Sequence, residues 1–371
     1  MGWRIPVARP DLGVGEQEAV SAVVARGWIT QGPEVKAFET EFARFCGGRD
    51  AVATNSGTAA LHVALLALDV EAGDEVITTP LSCIASANPV LFQGARPVFV
   101  DIEPRTYNID VAQIEKRITG RTKAILPVHL FGHPVDLDPL LAIAAAHGVP
   151  VIEDCSQAAG AEYRGRPVGA LARCGIFSLY ANKIITSAEG GMIVTDDDEL
   201  ADKMRAIRNF GQRPGEHFVH AYLGGNYKTT DLHAALGRVQ LRKAEAYIER
   251  RRLRRDALTR RLAGLTGLIA ALPVEESYAR AVPFSYPILF RTIALRERAE
   301  AALHAASIET RPFFSLINDQ APYRALGFDT ADTPVAADVF PRGLYVSASP
   351  DLTDADLDLI ADTLAEAARQ A

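Results

Sequence analysis

The chain has 371 residues, 48% hydrophobic and 23% charged, the balance of an ordinary globular protein long enough for two domains. Its net charge of −7 gives no basic face for nucleic acid, and its four cysteines (Cys46, Cys83, Cys155, Cys174) form no C-x-x-C pair and no metal-ligand spacing. No run approaches about 18 uninterrupted apolar residues and residues 1–6 lack an apolar signal core, so a cytoplasmic protein without metal, membrane or nucleic-acid partner is expected.

Turn signals at Pro6, Pro10, Gly13 and Gly15 lead into a helix over about 15–26, a loop Gly27–Pro33 and an amphipathic helix Glu34–Cys46. Short β-rich runs then start at Ala51, Glu75, Pro97, Ala124 and Pro150, spaced 22–27 residues apart. Helical patterns such as Thr58–Leu68 and Leu137–His147 lie between them. This alternation predicts βαβ units and a mostly parallel central sheet with helices on both faces, an α/β fold whose ligands bind outside the carboxyl ends of the strands. Further on come strands Ile176–Leu179 and Met192–Thr195, a helix Asp197–Asn209, and a Gly/Pro/His-rich loop Gly211–Gly225. A long helix over about 230–265 carries the chain from a large domain (1–245) into a smaller α+β domain (246–371). That domain has a strand within Pro283–Phe290 and helices Leu295–Ala306 and Thr353–Ala368. The basic run Arg250–Arg252 with Arg254 and Arg255 reads as a solvated helix face in preference to a phosphate-facing edge.

Four stretches fall at strand ends. The turn after Leu179 presents Lys183, one of only seven lysines. An amine held where the sheet excludes water has its pKa lowered from about 10.4, and such an amine can bond to a carbonyl cofactor; an isolated Lys-x-x-Thr would otherwise be a solvent-reaching lysine. Asp154 ends the strand Val151–Asp154, where a buried carboxylate needs a partner: an ion pair, a turn cap, or the ring nitrogen of pyridoxal phosphate (PLP). Asn55-Ser56-Gly57-Thr58 joins a strand to a helix and suits either a simple cap or a phosphate. Gly224–Asp231 opens the long helix.

In this order the stretches resemble the DegT/StrS family of sugar aminotransferases, PLP enzymes of fold type I. The likeness covers nearly the whole chain, from Gly27–Pro33 through Asn55–Thr58, Glu153–Gln157, Ser178, Lys183 and Glu189–Met192 to Gly225–Asp231, with Lys183 29 residues after Asp154. It implies that Lys183 bonds the cofactor and shuttles the proton, that Asp154 binds the pyridine nitrogen and that Gln157 lies against the ring. It further implies that Gly57, Thr58 and Ser178 hold the phosphate, while Asn226 reaches the phosphate of the neighbouring subunit of a homodimer. Four departures stand out, one of them the lack of the family's histidine in Arg311–Asn318. Cys83 occupies the position of a stacking aromatic, where a polarizable sulfur can serve; Ala188 replaces a glycine, strained if positive φ is needed there; Gly225 replaces a bulky residue. The resemblance implies transfer of an amino group, from L-glutamate, to a nucleotide-linked keto-sugar. Residues Asn182–Thr186 are most similar to the members acting on GDP-4-keto-6-deoxymannose. A keto-cyclitol acceptor is the alternative, and a non-catalytic regulatory relative would have lost Lys183 or Asp154. The related sugar dehydratases carry histidine in place of the lysine.

Overall fold

A computed structural model describes residues 2–213, 215 and 218–369; Pro214, Glu216 and His217 of the expected 211–225 loop lie outside the described residues. Among the described residues, seven strands form the central sheet. Asp50–Thr54, Gly191–Thr195, Cys174–Ser178 and Ile152–Asp154 pair in that order. Arg96–Phe99, Glu75–Thr78 and Thr122–Leu126 form a parallel set. The two sets join through parallel bridges Ile125–Val151 and Val128–Asp154. Only Gly191–Thr195 runs against the others, because a turn and not a helix returns the chain after Cys174–Ser178.

Alternation of side chains along each strand supplies two cores. Ala51, Ala53, Ile125, Phe177, Met192 and Val194 face the helices Pro33–Phe45, Leu137–His147 and Asp231–Leu262. Val52, Ala124, Leu126, Ile152, Ile176 and Ile193 face the helices Gly57–Ala67 and Asp198–Arg208. Such near-continuous apolar strands are what a sheet covered on both faces requires. The connection from Phe99 to Thr122 carries only two single 3₁₀ turns where the repeat predicts a helix.

The long helix Asp231–Leu262 gives Ala234, Ala244 and Ile248 to the first core and Ala257, Leu258 and Leu262 to a third. The expected division at residue 245 falls inside it. The third core also holds Ile5, whose segment bridges Ile308. It covers an antiparallel sheet of Ile269–Ala271, Tyr286–Phe290, Gly343–Val346 and Arg311–Pro312, packed by the helices Ile293–Ala305 and Asp354–Arg369.

Asp231 explains why two of the sequence stretches travel together. Fully buried at the start of the long helix, it accepts hydrogen bonds from the amides of Gly32 (2.9 Å) and Val35 (3.0 Å) and from Arg26 (3.1 Å). One carboxylate thus caps the Pro33–Phe45 helix, whose own N-cap Gly32 has no side chain to offer.

Candidate active site

At the carboxyl ends of the strands lies a cleft of about 340 Å³. Gly57, Thr58, Cys83, Asp154, Gln157, Ser178 and Lys183 all line it. Asn226, the remaining predicted site residue, does not; its side chain is exposed on the surface and its carbonyl accepts from Asn55 Nδ2 at 3.3 Å.

The Lys183 turn is closed by Lys183 N–H to Tyr180 O (2.9 Å) and Ser187 N–H to Leu179 O (2.9 Å). Ala188 sits at φ +69°, the left-handed region that the family's glycine suits, so its strain is real. Lys183 lines an open cleft, yet the surrounding walls strip its charge of water and push its pKa below the ordinary value of 10.5, with Asp154 pulling the other way. Its Nζ lies 4.7 Å from the centre of the Phe284 ring.

Asp154 is buried, with Oδ1 accepting from Ser156 N–H (3.0 Å) and Oδ2 from Ser86 Oγ (2.7 Å). Its neighbour Glu153 points to the opposite face of the strand, where Gly169 N–H (3.0 Å), Leu171 N–H (2.9 Å), Ala172 N–H (3.0 Å) and His129 Nε2 (3.2 Å) converge on it. Because His129 Nδ1 accepts from Val135 N–H (3.0 Å), the ring proton sits on Nε2 and donates to Glu153. His129, Glu153 and Cys155 lie close enough to suggest a metal centre. The polar atoms of His129 and Glu153 are already spent on these bonds, and burial with the Glu153 charge pushes the Cys155 thiol well up, away from the thiolate a metal needs. The same causes raise Cys46 and take Cys174 to about 12.

Gly57 opens the helix Gly57–Ala67, and a Cβ there would meet Ser178 Cβ at 2.8 Å and Cα at 3.1 Å. Only glycine lets the helix start so close to the strand end. Ser56 Oγ accepts from Ala59 N–H (3.1 Å), which leaves the amides of Gly57 and Thr58 without intrahelical acceptors. A helix N-terminus with free amides beside the Ser178 hydroxyl is suited to an anion. Gln157 Oε1 is held by Phe131 N–H (2.9 Å). Asn182 Oδ1 is buried in the cleft wall with no partner among the described residues, an acceptor that a bound molecule would satisfy.

The C-terminal part of the chain contributes what sequence reasoning did not find. Phe284, Phe314 and Tyr345 wall the cleft. Arg251, read as part of a solvated face, is instead buried, and its Nη1 donates to the carbonyls of Pro283 (3.1 Å), Phe284 (3.3 Å) and Ala348 (3.1 Å). It thereby anchors the segment that sets Phe284 over Lys183. A buried cation bonded to carbonyls has no local sequence signal.

A strand-end lysine and a buried carboxylate sharing one cleft, with an anion-ready helix start at its edge and a seven-stranded sheet of this order, define a PLP-dependent enzyme of fold type I. The chain matches the DegT/DnrJ/EryC1/StrS aminotransferase family over residues 10–365, and it belongs to that family. It is 40% identical over 360 residues to GDP-perosamine synthase of Caulobacter vibrioides, covering 96% of each chain. Among solved structures, DesV of S. venezuelae in complex with a ketimine intermediate superposes with a TM-score of 0.91 at 33% identity, over 96% of this chain and 95% of that one. A putative sugar aminotransferase of Streptococcus pneumoniae in its PMP form gives 0.93 at 28% identity, over 99% and 98%. The protein is accordingly a PLP-dependent sugar aminotransferase.

Proposed function

We propose that this enzyme moves the amino group of L-glutamate to the carbonyl of a nucleotide-linked 4-keto-6-deoxyhexose, with GDP-4-keto-6-deoxymannose as acceptor. The observation carrying the reading is Lys183 and Asp154 in one cleft; the 40% identity to a GDP-perosamine synthase supports the acceptor. PLP, when bound, supplies an aldehyde to carry the amino group and a ring that withdraws electrons from the reacting carbon. Lys183 Nζ, held below its ordinary pKa by burial, attaches the cofactor and then moves the proton between the two carbons that exchange the amino group. Asp154 keeps the pyridine nitrogen protonated. The amides of Gly57 and Thr58 and the hydroxyl of Ser178 bind the phosphate, Gln157 lies against the ring, and Cys83 offers its sulfur to the other face. Asn226, exposed and outside its own cleft, completes the phosphate site of a second copy in a homodimer. The exposed Trp28, Ile29 and Leu223 suit such a contact. Residues 1–245 act as the cofactor domain and 246–371 as the smaller one, and the enzyme works in the cytoplasm with its four thiols free.

Borohydride reduction of the yellow protein should trap the cofactor on one peptide containing Lys183, and Lys183→Ala should neither trap it nor turn over. Near-normal transamination by that variant would overturn the role of Lys183. GDP-, dTDP- and UDP-linked keto-sugars and a keto-cyclitol, each supplied with L-glutamate and followed by mass spectrometry, test the acceptor. Amination of the cyclitol alone would replace the nucleotide-sugar reading.

A further inference from the structure

Asp154 does not stand alone in the cleft wall. Ser86 Oγ donates to its Oδ2 at 2.7 Å, and Ser82 Oγ lies 3.0 Å from Ser86 Oγ. Both serines are buried and both line the cleft. An ionised carboxylate accepts only, so the Ser86 proton is committed to Asp154. The proton in the Ser82–Ser86 bond must therefore come from Ser82. The chain has one direction: Ser82 O–H donates to Ser86, and Ser86 O–H donates to Asp154. Ser156 N–H fixes the other oxygen at 3.0 Å, so each carboxylate oxygen has one bond that holds it in place and one lone pair left over.

We propose that Ser86 is a positioning residue for the carboxylate that meets the cofactor nitrogen, and that Ser82 orients the Ser86 hydroxyl. The inference rests on the role given to Asp154 above. Ser86 acts in two ways. It fixes the rotation of the carboxylate, so that the free lone pair points into the cleft. It also takes up part of the negative charge, which tempers the field that Asp154 exerts on Lys183 and on anything bonded to it. A hydrogen bond to an ionised group in a buried site is stronger than a neutral one. Losing it leaves a carboxylate that is freer to rotate and more strongly charged.

The test is a series on the full-length protein: Ser86→Ala, Ser86→Thr, Ser82→Ala and Asp154→Asn. Two readouts besides turnover are the affinity of the apoprotein for pyridoxal phosphate and the pH midpoint of the visible absorption of the loaded protein. Ser86→Ala should weaken binding about ten-fold and raise the pH midpoint, because the untempered carboxylate favours the protonated chromophore. Ser86→Thr, which keeps the hydroxyl, should restore both. Ser82→Ala should move both in the same direction by less. The proposal is overturned if Ser86→Ala leaves affinity and pH midpoint unchanged while Asp154→Asn alters them, or if Ser86→Thr behaves like Ser86→Ala although thermal melting shows it folded. If Asp154→Asn itself changes neither readout, the role of Asp154 fails and this inference falls with it.

Discussion

Glu153→Gln replaces one atom and should nonetheless cost several kcal/mol. The wild-type side chain is fully buried and faces four donors, three backbone amides and His129 Nε2, with no acceptor among them. Oε2 serves Gly169 and His129, and Oε1 serves Leu171 and Ala172. A glutamine offers one oxygen and one NH₂ group. Whichever way the amide turns, its NH₂ confronts two donors, and His129 cannot relieve the conflict by moving its proton because Nδ1 is engaged with Val135. Each buried donor left unsatisfied costs about 1–3 kcal/mol, so the pair costs roughly 2–6 kcal/mol. That is a large share of the 5–15 kcal/mol typical of a folded domain. The displaced turn leads straight into the strand Cys174–Ser178, which carries the Ser178 side of the cleft. Urea unfolding of the two proteins measures the difference, with Glu153→Ala expected to be worse because it strands all four donors. A Glu153→Gln loss below about 1 kcal/mol would show that these donors are not the constraint the geometry makes them.

Gly57→Ala sets two effects against each other. Alanine favours a helix by up to about 1 kcal/mol, but its Cβ at 2.8 Å from Ser178 Cβ must push the helix start away from the strand, an overpacking cost of about 1–3 kcal/mol. The clash wins, and the apoprotein should bind pyridoxal phosphate at least ten-fold more weakly by fluorescence titration; unchanged affinity would detach these amides from the phosphate. Ala188→Gly should stabilise the protein by up to about 1 kcal/mol in urea, since a left-handed alanine costs about 1–2 kcal/mol and the more flexible unfolded glycine returns part of that. His62, His133 and His233 each titrate below the ordinary 6.5, in every case chiefly through burial. The unfolded chain then binds their protons more readily. Their contribution to stability should be full above about 6.5, fall as the pH drops below it, and level once the folded-state values are passed. Urea midpoints at pH 7.5, 6.5 and 5.5 check this, and a flat profile would refute it.

The parts of the molecule that were legible in the sequence are those governed by local rules. The 22–27-residue repeat reports a strand and its crossover, and it located five of the seven central strands to within two residues because each unit repeats the same apolar pattern; the other two were read from the apolar runs on either side of the Lys183 turn. Seven of the eight predicted site residues line one cleft because ligands of such sheets gather at the carboxyl ends of the strands. What escaped notice depends on distant pairing. Gly191–Thr195 follows the same apolar pattern as the other six strands, and its reversed direction comes from the absence of a crossover helix. Ser86 meets Asp154 across 68 residues and Arg251 meets Ala348 across 97, distances over which serine and arginine carry no periodic signal.

The Glu153–Asp154 pair was open to a reading the sequence did permit. Adjacent residues of a strand face opposite sides of a sheet, so only one of the two carboxylates can look into the cleft. Ile152 belongs to the core beside the helix Gly57–Ala67, and Cys155 to the opposite core. Asp154 shares the face of Ile152 and therefore looks toward the helix whose first turn lines the cleft. Glu153 is left on the side of Cys155, where a carboxylate is tolerable only if the chain brings donors to it. The turn Gly169–Ala172 and His129 do so. Two like-charged neighbours thus divide into one group committed to holding the backbone and one kept free for a ligand. Exchanging them, as Glu153→Asp with Asp154→Glu, should damage both stability and cofactor binding, because neither side chain then reaches its partners at the right length.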